Sequence, residues 1–305
     1  MTRTMLQGGP TTIERLCRLA QVSRAGYYRY WRASAPRQQD TTIRDAIQRL
    51  VLLNGRYRRG YRYITEQLRG QGLIVNHKRV LRLMRSDNLL CLRRRSFVPM
   101  TTDSRHEWPV VGNLARDMQL SDLNQLWVAD ITYIRLQEEF AFLAIVLDAF
   151  SRRVIGWAMA DHLKASLAVA ALQMALDTRR PRPGSLVHHS DRGVQYACAD
   201  YSRLLAAHGI TASMSRVGNP YDNAKAESFI KTLKTEQIDG TRYRNLREAQ
   251  SDIGTFLEEV YNHQRLHSAL GYRTPIAFEA EHRAHRAAAA GAMPAPQVQH
   301  PRDGL

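Results

Sequence analysis

The sequence predicts an α/β fold in which a domain built on a mixed β-sheet follows small all-α modules. Two observations lead to this prediction. Three runs rich in β-forming residues succeed one another over residues 126–160, and strands then alternate with helices to about residue 211. The first 95 residues instead carry apolar residues at helical spacing, interrupted by turn signals.

The composition of the 305 residues is that of a globular protein, with 44% apolar and 24% charged residues. The longest apolar run covers residues 140–147, and the N-terminus is basic and polar, so we expect neither a membrane span nor a secretory signal. Cys17, Cys91 and Cys198 are far apart, which argues against a disulfide framework and against a zinc site built on close cysteine pairs. We therefore expect a reduced, cytoplasmic protein.

The net charge of +16 is distributed unevenly along the chain. Residues 1–117 contain 23 basic and 8 acidic residues, whereas residues 118–305 contain 21 and 20. The segment 56–95 alone has 12 basic residues against two acidic ones, a density suited to neutralising phosphates. We therefore expect a nucleic acid as partner. Because 39 of the 44 basic residues are arginine, a GC-rich genome is the alternative explanation, although codon bias alone should not confine the excess to one half.

Residues 1–40 are predicted to contain a first helix-turn-helix-like segment. Thr12 is a candidate N-cap for an apolar-periodic helix over residues 13–20, and Ser23 is a candidate N-cap for a second helix that ends at Trp31.

Residues 41–95 are predicted to form a basic helix-turn-helix DNA-binding domain. Helices are expected over residues 43–53, 62–69 and 76–84, and basic residues recur on the last one at spacings of three and four. The alternative is an ordinary solvated helix face. The residues expected to contact DNA here are Arg58, Arg59, Arg62, Lys78, Arg79 and Arg82.

Residues 96–120 lack sustained periodicity and are interpreted as a linker to a catalytic domain over residues 121–280. Residues 281–305 are interpreted as a flexible tail. Within the catalytic domain the expected strands are 126–134, 140–148, 154–160, 186–189 and a short one near 211. The expected helices are 164–177, 197–208 and one after residue 223. The three first strands have short connections, which favours an antiparallel meander.

Three carboxylates on separate elements of this domain are candidate catalytic residues. Asp130 lies within a run that is apolar on both faces, where an unpaired carboxylate would cost several kcal/mol and therefore needs a partner. Asp191 directly follows the predicted strand 186–189, at the end where open α/β sheets place their ligands.

Glu227 is the third carboxylate and lies on a predicted helix with an apolar stripe of Ala226, Phe229, Ile230 and Leu233. Lys231 and Lys234 fall within about 60° of Glu227 around that helix. The alternative meaning of this spacing is a solvated Glu–Lys pair. Three carboxylates of this kind would suit two divalent metal ions that act on a phosphodiester, with the lysines binding the DNA phosphates.

Several blocks of this domain resemble the insertion sequence three family of bacterial transposases. They are WVADITY (127–133), HSDRGVQY (189–196) and GNPYDNAKAESF (218–229), with 35 residues between Asp191 and Glu227. The stretch YNHQRLHSALGYRTP (261–275) resembles the motif that follows the core in this family, and NHKRV (76–80) resembles part of its upstream helix-turn-helix.

This resemblance implies a ribonuclease H-like fold, similar to the retroviral integrase core. It implies that Asp130, Asp191 and Glu227 are the metal-binding catalytic triad, that Mg²⁺ is the cofactor, and that Mn²⁺ substitutes for it. The implied activity is that of a DNA transposase, which nicks element ends and joins the freed 3′-hydroxyl to another phosphodiester of double-stranded DNA.

The family is often produced as a fusion with an upstream frame that carries a helix-turn-helix and a leucine zipper. No heptad stretch is present here. We therefore expect a separate upstream-frame protein or a fusion with it as partner, and a multimer on DNA at the nucleoid. Two alternatives stay open: a domesticated transposase that only binds DNA, and a structure-specific nuclease of the same fold.

Four further residues have both a functional and a structural interpretation. His188 and His189 flank the strand before Asp191 and are either active-site residues or histidines satisfied at a strand end. Arg265 and His267, in the motif after the core, either contact DNA or are structural.

Overall fold

The computed structural model describes residues 12–31, 38–54, 59–90, 111–216 and 220–291. The helices of this part are α1 (Ile13–Leu19), α2 (Arg24–Trp31), α3 (Gln38–Leu53), α4 (Tyr61–Gly70), α5 (His77–Ser86), α6 (Ala165–Arg179), α7 (Val194–Ala197), α8 (Ala199–Ala207), α9 (Ala224–Leu233), α10 (Leu246–Thr255) and α11 (Pro275–Gly291). The strands are β1 (Leu126–Arg135), β2 (Phe140–Asp148), β3 (Val154–Ala160), β4 (Val187–Ser190) and β5 (Thr211–Met214). None of the described helices combines the length and apolar character needed to cross a bilayer.

The N-terminal helices start at the predicted caps. Thr12 Oγ1 accepts a hydrogen bond from the Arg15 backbone N–H (3.4 Å), and Ser23 Oγ accepts one from the Gly26 N–H (3.0 Å). These side chains satisfy backbone donors that have no partner inside the helix. Both predicted caps are therefore confirmed.

Helices α3, α4 and α5 share one small apolar core, as expected of a helix-turn-helix domain. Asn76 caps α5 by accepting a hydrogen bond from the Lys78 N–H (2.8 Å). Gly72, in the turn before it, has φ +81°, a conformation that glycine adopts without strain. The buried residues of this core are Ile43, Ala46, Ile47, Leu50, Ile64, Leu68, Val75, Val80, Leu83 and Met84.

The sheet of the second domain has the strand order β3-β2-β1-β4-β5. Strands β1, β2 and β3 form the predicted antiparallel meander, while β4 pairs in parallel with both β1 and β5. The mixed sheet expected from the sequence is therefore confirmed. Its central strand is β1, which lies between β2 and β4.

Helices cover both faces of the sheet, which explains why β1 reads as a continuous apolar run. Side chains of a strand alternate between faces. Trp127, Ala129 and Ile131 belong to the core under α6, α7 and α8. Leu126 and Val128 belong to the other core, which α9, α10 and the π-helical turn Phe256–Tyr261 cover. By the same alternation Asp130 lies on the face that carries α9.

One glycine sets how closely α6 packs on the sheet. A Cβ at Gly156 of β3 would lie 2.2 Å from the carbonyl oxygen of Ala171 and 2.9 Å from the Cβ of Ala175. No side chain fits into that space, because real Cβ atoms do not approach other heavy atoms so closely. Helix α6 therefore lies directly on the backbone of β3.

The structure corrects two of the predicted boundaries. Residues 111–120, predicted to be part of a linker, run beside β5, where the Leu114 N–H donates to Ser213 Oγ (2.8 Å); the rest of that linker lies outside the described residues. Helix α11 continues through residue 281 to Gly291, so the predicted tail does not begin there. The Ala-rich sequence favours a helix, and His282 Nε2 contacts Asp122 Oδ1 (2.8 Å). Residues 292–305 lie outside the described part.

Helix α11 is held to the sheet by a buried carboxylate. Glu279 is 1% exposed and accepts hydrogen bonds from Ser151 Oγ (2.7 Å), from Arg153 (2.9 Å) and from Arg179. These partners hold the pKa of Glu279 below its usual value, although burial opposes them. A buried charge is tolerated only with such compensation.

The close packing at Gly156 predicts that Gly156→Ala destabilises the protein by about 1–3 kcal/mol, because α6 must move away from β3. The urea midpoint of unfolding measures this effect. Gly112→Ala is the matched control, since a Cβ there meets no heavy atom within 4 Å. Equal midpoints for the two variants would show that α6 does not depend on this contact.

Candidate active site

Strand pairing places the first two carboxylates side by side. Strands β1 and β4 pair in parallel with Val128 opposite His189. The same register, continued by two residues, brings Asp130 opposite Asp191, just past the last residue of β4. Neighbouring strands are about 4.8 Å apart, so the two side chains lie side by side at the carboxyl end of β4. The sequence predicts Asp191 at a strand end, but not its position beside Asp130.

The environment of Asp130 disfavours its negative charge. Burial is the largest cause, followed by the negative charge of Asp191 and, more weakly, that of Glu227; together they raise the pKa of Asp130 to about 8. The Ile131 backbone N–H, which donates to Asp130 Oδ1 (2.8 Å), and the charge of Lys234 oppose this rise. The three predicted carboxylates are therefore electrostatically coupled in the fold.

Asp191 is held by its own loop. The Gly193 backbone N–H donates to Asp191 Oδ1 (3.0 Å). A Cβ at Gly193 would lie 3.0 Å from that same oxygen and 2.9 Å from Gln195 Oε1, so a larger residue would press on the carboxylate. Because residue 193 is glycine, the Asp191 carboxylate can stay in this position without a steric clash.

Helix α9 brings Glu227 to the same face of the sheet as Asp130. Ala226, Phe229 and Leu233 are buried in the core on that face, as the predicted stripe requires, and Glu227 is exposed beside them. Partial loss of water raises the pKa of Glu227. No hydrogen bond or ion pair joins Glu227 to another residue in the described part of the chain, so the simple Glu–Lys pair that its spacing also allows is absent there.

The start of α9 is tied to β1 next to Asp130. The buried Asn223 side chain donates through Nδ2 to the carbonyl oxygen of Ala129 (3.0 Å). This hydrogen bond joins the residue before α9 to the residue before Asp130. It fixes the distance between the elements that carry Glu227 and Asp130.

Asp222, in the turn before α9, is held by Arg216 from the end of the β5 segment. Its carboxylate accepts hydrogen bonds from the Arg216 backbone N–H (2.9 Å) and from Arg216 Nε (3.1 Å). The Arg216 hydrogen bonds hold the pKa of Asp222 well below its usual range. The pair bridges residues 217–219, which lie outside the described residues, and so connects the end of the β5 segment with the turn before α9.

The two lysines of the α9 region lie in different environments. Lys234 is half-buried, its Nζ is 4.3 Å from the ring centroid of Tyr133, and its charge lowers the pKa of Asp130. Burial in turn lowers the pKa of Lys234. Lys231 is exposed. Lys234 thus lies beside the carboxylates, whereas Lys231 points away from the core.

The histidines before Asp191 have structural roles. His188 is buried and its Nε2 bonds with the Tyr201 hydroxyl (3.0 Å). Burial lowers the pKa of His188 to about 3, so the ring is neutral. His189 is also buried, between Ser213 Oγ (2.9 Å) and Ser215 Oγ (3.0 Å). Both rings are satisfied within the core, which agrees with the structural interpretation.

The residues of the helical domain that are predicted to contact DNA differ in their exposure to solvent. Lys78, Arg62 and Arg82 are exposed. Arg79 and Arg82 both bind the carboxylate of Asp40, at 2.6 and 3.1 Å. Their charges are therefore partly neutralised within the domain. Arg58 lies outside the described residues.

Arg59 corrects one of these predictions. Its side chain is 3% exposed and its guanidinium pairs with Glu236, which also binds Arg265 (2.8 Å). The guanidinium of Arg59 is therefore directed into the protein and not toward a DNA surface. The structural interpretation of Arg265 follows from the same cluster, and sequence reasoning missed Glu236 because it is distant from both arginines in the chain.

A cavity of 550 Å³ separates the helical domain from α9. Its lining includes Arg62 and Arg85 on one side and Lys231, Ser228 and Thr232 on the other. Glu236 also lines it, but its carboxylate is already paired with Arg59 and Arg265. We call this cavity the basic groove. It contains two of the predicted DNA-binding residues, Arg62 and Lys231, and lies on the helix that carries Glu227.

The carboxylates suit a divalent cation in chemistry, but they are not closed around one. Carboxylate oxygens are the ligands that Mg²⁺ prefers, and after burial the negative charges of Asp191 and Glu227 contribute to the raised pKa of Asp130. Across the described ranges, no group of three His, Cys, Asp or Glu side chains is arranged to hold a metal ion. The side chains would have to draw together to bind one.

Comparisons with known proteins agree with this architecture. Residues 121–220 and 208–275 match family models of the integrase core domain, and residues 38–97 match an HTH-like domain. The sheet order and the core-domain match identify the fold as ribonuclease H-like. A simian T-cell lymphotropic virus intasome in complex with a PP2A regulatory subunit is similar over 81% of this chain and 77% of its own, with 18% identity and a TM-score of 0.44.

Two curated relatives are similar over nearly their whole length. An uncharacterized 31 kDa protein of insertion element IS600 from Shigella sonnei is 39% identical over 86% of this chain and 97% of its own. Transposase InsF for insertion sequence IS3A from Escherichia coli (strain K12) is 38% identical over 88% of this chain and 94% of its own. The chain therefore belongs to the IS3 family of insertion-sequence transposases.

Proposed function

We propose that this protein nicks DNA at the ends of its insertion element and joins the freed 3′-hydroxyl to another phosphodiester, with Asp130, Asp191 and Glu227 as the catalytic carboxylates. The observation that carries the proposal is the coupling of these three side chains. After burial, Asp191 and Glu227 both raise the pKa of Asp130, and the chain belongs to a family of transposases. Perturbed carboxylates of this kind are typical of sites that bind cations for phosphoryl chemistry.

The three carboxylates would hold Mg²⁺, for which we expect Mn²⁺ to substitute. When bound, two such ions supply Lewis acidity at the attacking and leaving oxygens of the phosphodiester. The protein's own part is positioning: Gly193 orients Asp191, and Asn223 keeps the helix of Glu227 against β1. Lys234 offsets part of the negative charge beside Asp130.

We propose that double-stranded DNA reaches this site along the basic groove. Arg62 and Arg85 of the helical domain and Lys231 of α9 line the groove from opposite sides. Lys78 lies exposed on α5, the predicted recognition helix. Arg82 and the half-buried Arg79 lie on the same helix, but Asp40 partly neutralises their charges, so we expect them to attract phosphates less strongly.

The joining of two element ends requires that both be held at once. We therefore propose a multimer on DNA, assisted by an upstream-frame helix-turn-helix protein or by fusion with it. Because its substrate would be chromosomal DNA, the protein would act in the cytoplasm, at the nucleoid.

The assignment of Glu227 predicts that Glu227→Gln lowers strand joining by at least about two orders of magnitude, because one charged group of the reacting site is lost. The gene with its native flanking DNA is placed on a plasmid in cells, and PCR across abutted element ends scores the junctions. Glu259→Gln, an exposed glutamate outside the site, is the control and should resemble the wild type.

Junctions formed equally by Glu227→Gln and wild type would refute this role of Glu227. If the wild type forms none, the upstream reading frame is supplied. Continued absence of junctions would then favour a DNA-binding protein without catalytic activity.

The raised pKa of Asp130 predicts that Mg²⁺ binding releases a proton at pH 7. Because that pKa is about 8, the metal-free site holds the proton below pH 8, and the cation must displace it; at pH 9.5 the proton is already gone. Calorimetric titration with Mg²⁺ in two buffers of different ionisation enthalpy measures the number released. We expect Mg²⁺ binding to release close to one proton per protein molecule at pH 7 and close to none at pH 9.5.

Asp130→Asn should release no proton at either pH, and Asp177→Asn, an exposed carboxylate on α6, should behave as the wild type. Proton release that is unchanged in Asp130→Asn would show that another group titrates with the metal.

A further inference from the structure

A small pocket on the side of α9 away from Glu227 is lined by hydrogen-bond donors. It has a volume of 230 Å³, and no carboxylate lines it. Arg152, Lys225 and His267 come to it from three separate elements, together with the hydroxyls of Ser228, Thr232 and Ser268. We call it the donor pocket. None of its residues belongs to the active site or to the predicted recognition helix.

Two cations of the donor pocket lie close enough to interact with each other. Arg152 and Lys225 are both half-buried, and no ion pair joins either side chain to another residue in the described part of the chain. Burial and the nearby charge of Arg152 lower the pKa of Lys225 to about 8. The opposing carboxylate is Asp148, which already accepts backbone N–H groups from Asn124, Phe150 and Ser151. The two cations therefore repel each other, and Asp148 offsets this repulsion only in part, since the pKa of Lys225 stays lowered.

The backbone at Arg152 adds to this cost. Its φ is +61°, a region that non-glycine residues rarely adopt. A glycine would occupy this turn without strain. The arginine is held there although it gains no anionic partner among the described residues, a pattern typical of positions where a side chain serves a ligand.

His267 contributes a donor that is also unused. Arg265 Nη1 lies 3.4 Å from His267 Nδ1; since a guanidinium can only donate, Nδ1 is the acceptor and Nε2 carries the proton. That Nε2 is buried and has no hydrogen-bond partner among the described residues. An unpaired buried donor is costly, and an anion oxygen would satisfy it.

The donor pocket adjoins the basic groove. Ser228 and Thr232 of α9 line both cavities. Around the helix, at 100° per residue, the order is Glu227, Lys231, Ser228, Thr232 and Lys225. Positive side chains thus continue from the groove into the pocket, and a DNA backbone that follows the groove passes its mouth.

We propose that the donor pocket binds a phosphate group of the DNA backbone, between Arg152, Lys225 and His267. The two cations neutralise its charge, and the His267 N–H and the hydroxyls bind its oxygens. This contact lies on the flank of α9 opposite Glu227, and so holds the strand at a second point away from the reacting one. The proposal rests on the proposed function only for the identity of the ligand as DNA.

The experiment measures DNA affinity against salt concentration, with a duplex taken from the sequence that flanks the gene. The slope of log affinity against log salt falls by about 0.9 for each phosphate that the protein no longer neutralises. Arg152→Gly and Lys225→Gln should each lower the slope by about one and weaken binding at low salt. Both should fold, because the first relieves a strained backbone and the second relieves charge repulsion.

Arg180→Gly is the matched control. Arg180 is an exposed arginine at φ 44°, outside the donor pocket, so this variant makes the same change of charge at the same kind of backbone position. Its salt slope should equal that of the wild type. A slope in Arg152→Gly and Lys225→Gln equal to that of the control would overturn the proposal.

A second measurement identifies the source of the phosphate. The imidazole ¹⁵N signal of His267 Nε2 is followed by NMR while inorganic phosphate, and separately the duplex, is added to the full chain. We expect the duplex to shift this signal in the wild type and not in Lys225→Gln. A shift with inorganic phosphate alone would overturn the assignment to DNA and leave a site for a free phosphate ion.

These readouts are independent of the proposed chemistry. Glu227→Gln should retain the wild-type slope and the His267 shift, because Glu227 lies outside the donor pocket. If Glu227→Gln still forms junctions, the catalytic assignment fails while the pocket measurement stands. If the pocket variants bind DNA as the control does, the pocket fails while the catalytic assignment stands.

Discussion

The parallel pairing of β1 with β4 is the constraint on which the site depends, because it places two carboxylates side by side in the middle of the sheet, just past the carboxyl end of β4. Asp130 and Asp191 occupy equivalent positions two residues beyond the paired Val128 and His189. Their repulsion, added to burial, moves the Asp130 pKa to about 8. A core domain selected for stability alone would not keep this arrangement, since each unneutralised buried charge costs free energy. The surrounding contacts limit that cost without removing it: the Ile131 N–H binds Asp130, and the Gly193 N–H binds Asp191.

Helix α9 distributes the remaining groups around its circumference. Its apolar stripe is buried against the sheet, and this packing fixes the rotation of the whole helix. Once the rotation is fixed, Glu227 lies on the side of Asp130 and Asp191. Lys231 then faces the basic groove and Lys225 faces the donor pocket. The hydrogen bond from Asn223 to Ala129 then fixes the helix along its axis. One short helix thereby relates the reacting site to both cationic surfaces, and any substitution in its buried stripe would shift all three together.

Local patterns predict most of the fold, because strands, caps and the α9 stripe are properties of a few neighbouring residues. The meander, Thr12 as a cap and the burial of Phe229 could all be predicted in this way. Charge density could not distinguish the buried Arg59, which pairs with Glu236, from the exposed Arg62. A count of charges along the sequence does not show which of them form ion pairs inside the fold. The length of α11 could not be predicted in this way for a related reason: one of its contacts, from His282 to Asp122, joins residues far apart in the chain. The donor pocket likewise joins residues from positions 152, 225 and 267, and no spacing rule connects them.

The same dependence on distant partners connects the helical domain to the proposed catalytic site. Glu236 lies in the π-helical turn Lys234–Ile238 directly after α9, and its carboxylate binds Arg59 from before α4 and Arg265 from the motif after α10. All three side chains are largely buried, so removal of Glu236 would break two buried ion pairs, and breaking a buried pair typically costs about 3–5 kcal/mol. Two opposite walls of the basic groove, the helical domain and α9, are therefore joined through one carboxylate. Lys234, at the start of that turn, also lowers the pKa of Asp130, so the turn that binds the helical domain carries the cation nearest to the proposed catalytic carboxylates. Glu236, which binds the helical domain, and Lys234, which acts on Asp130, thus belong to the same five-residue turn.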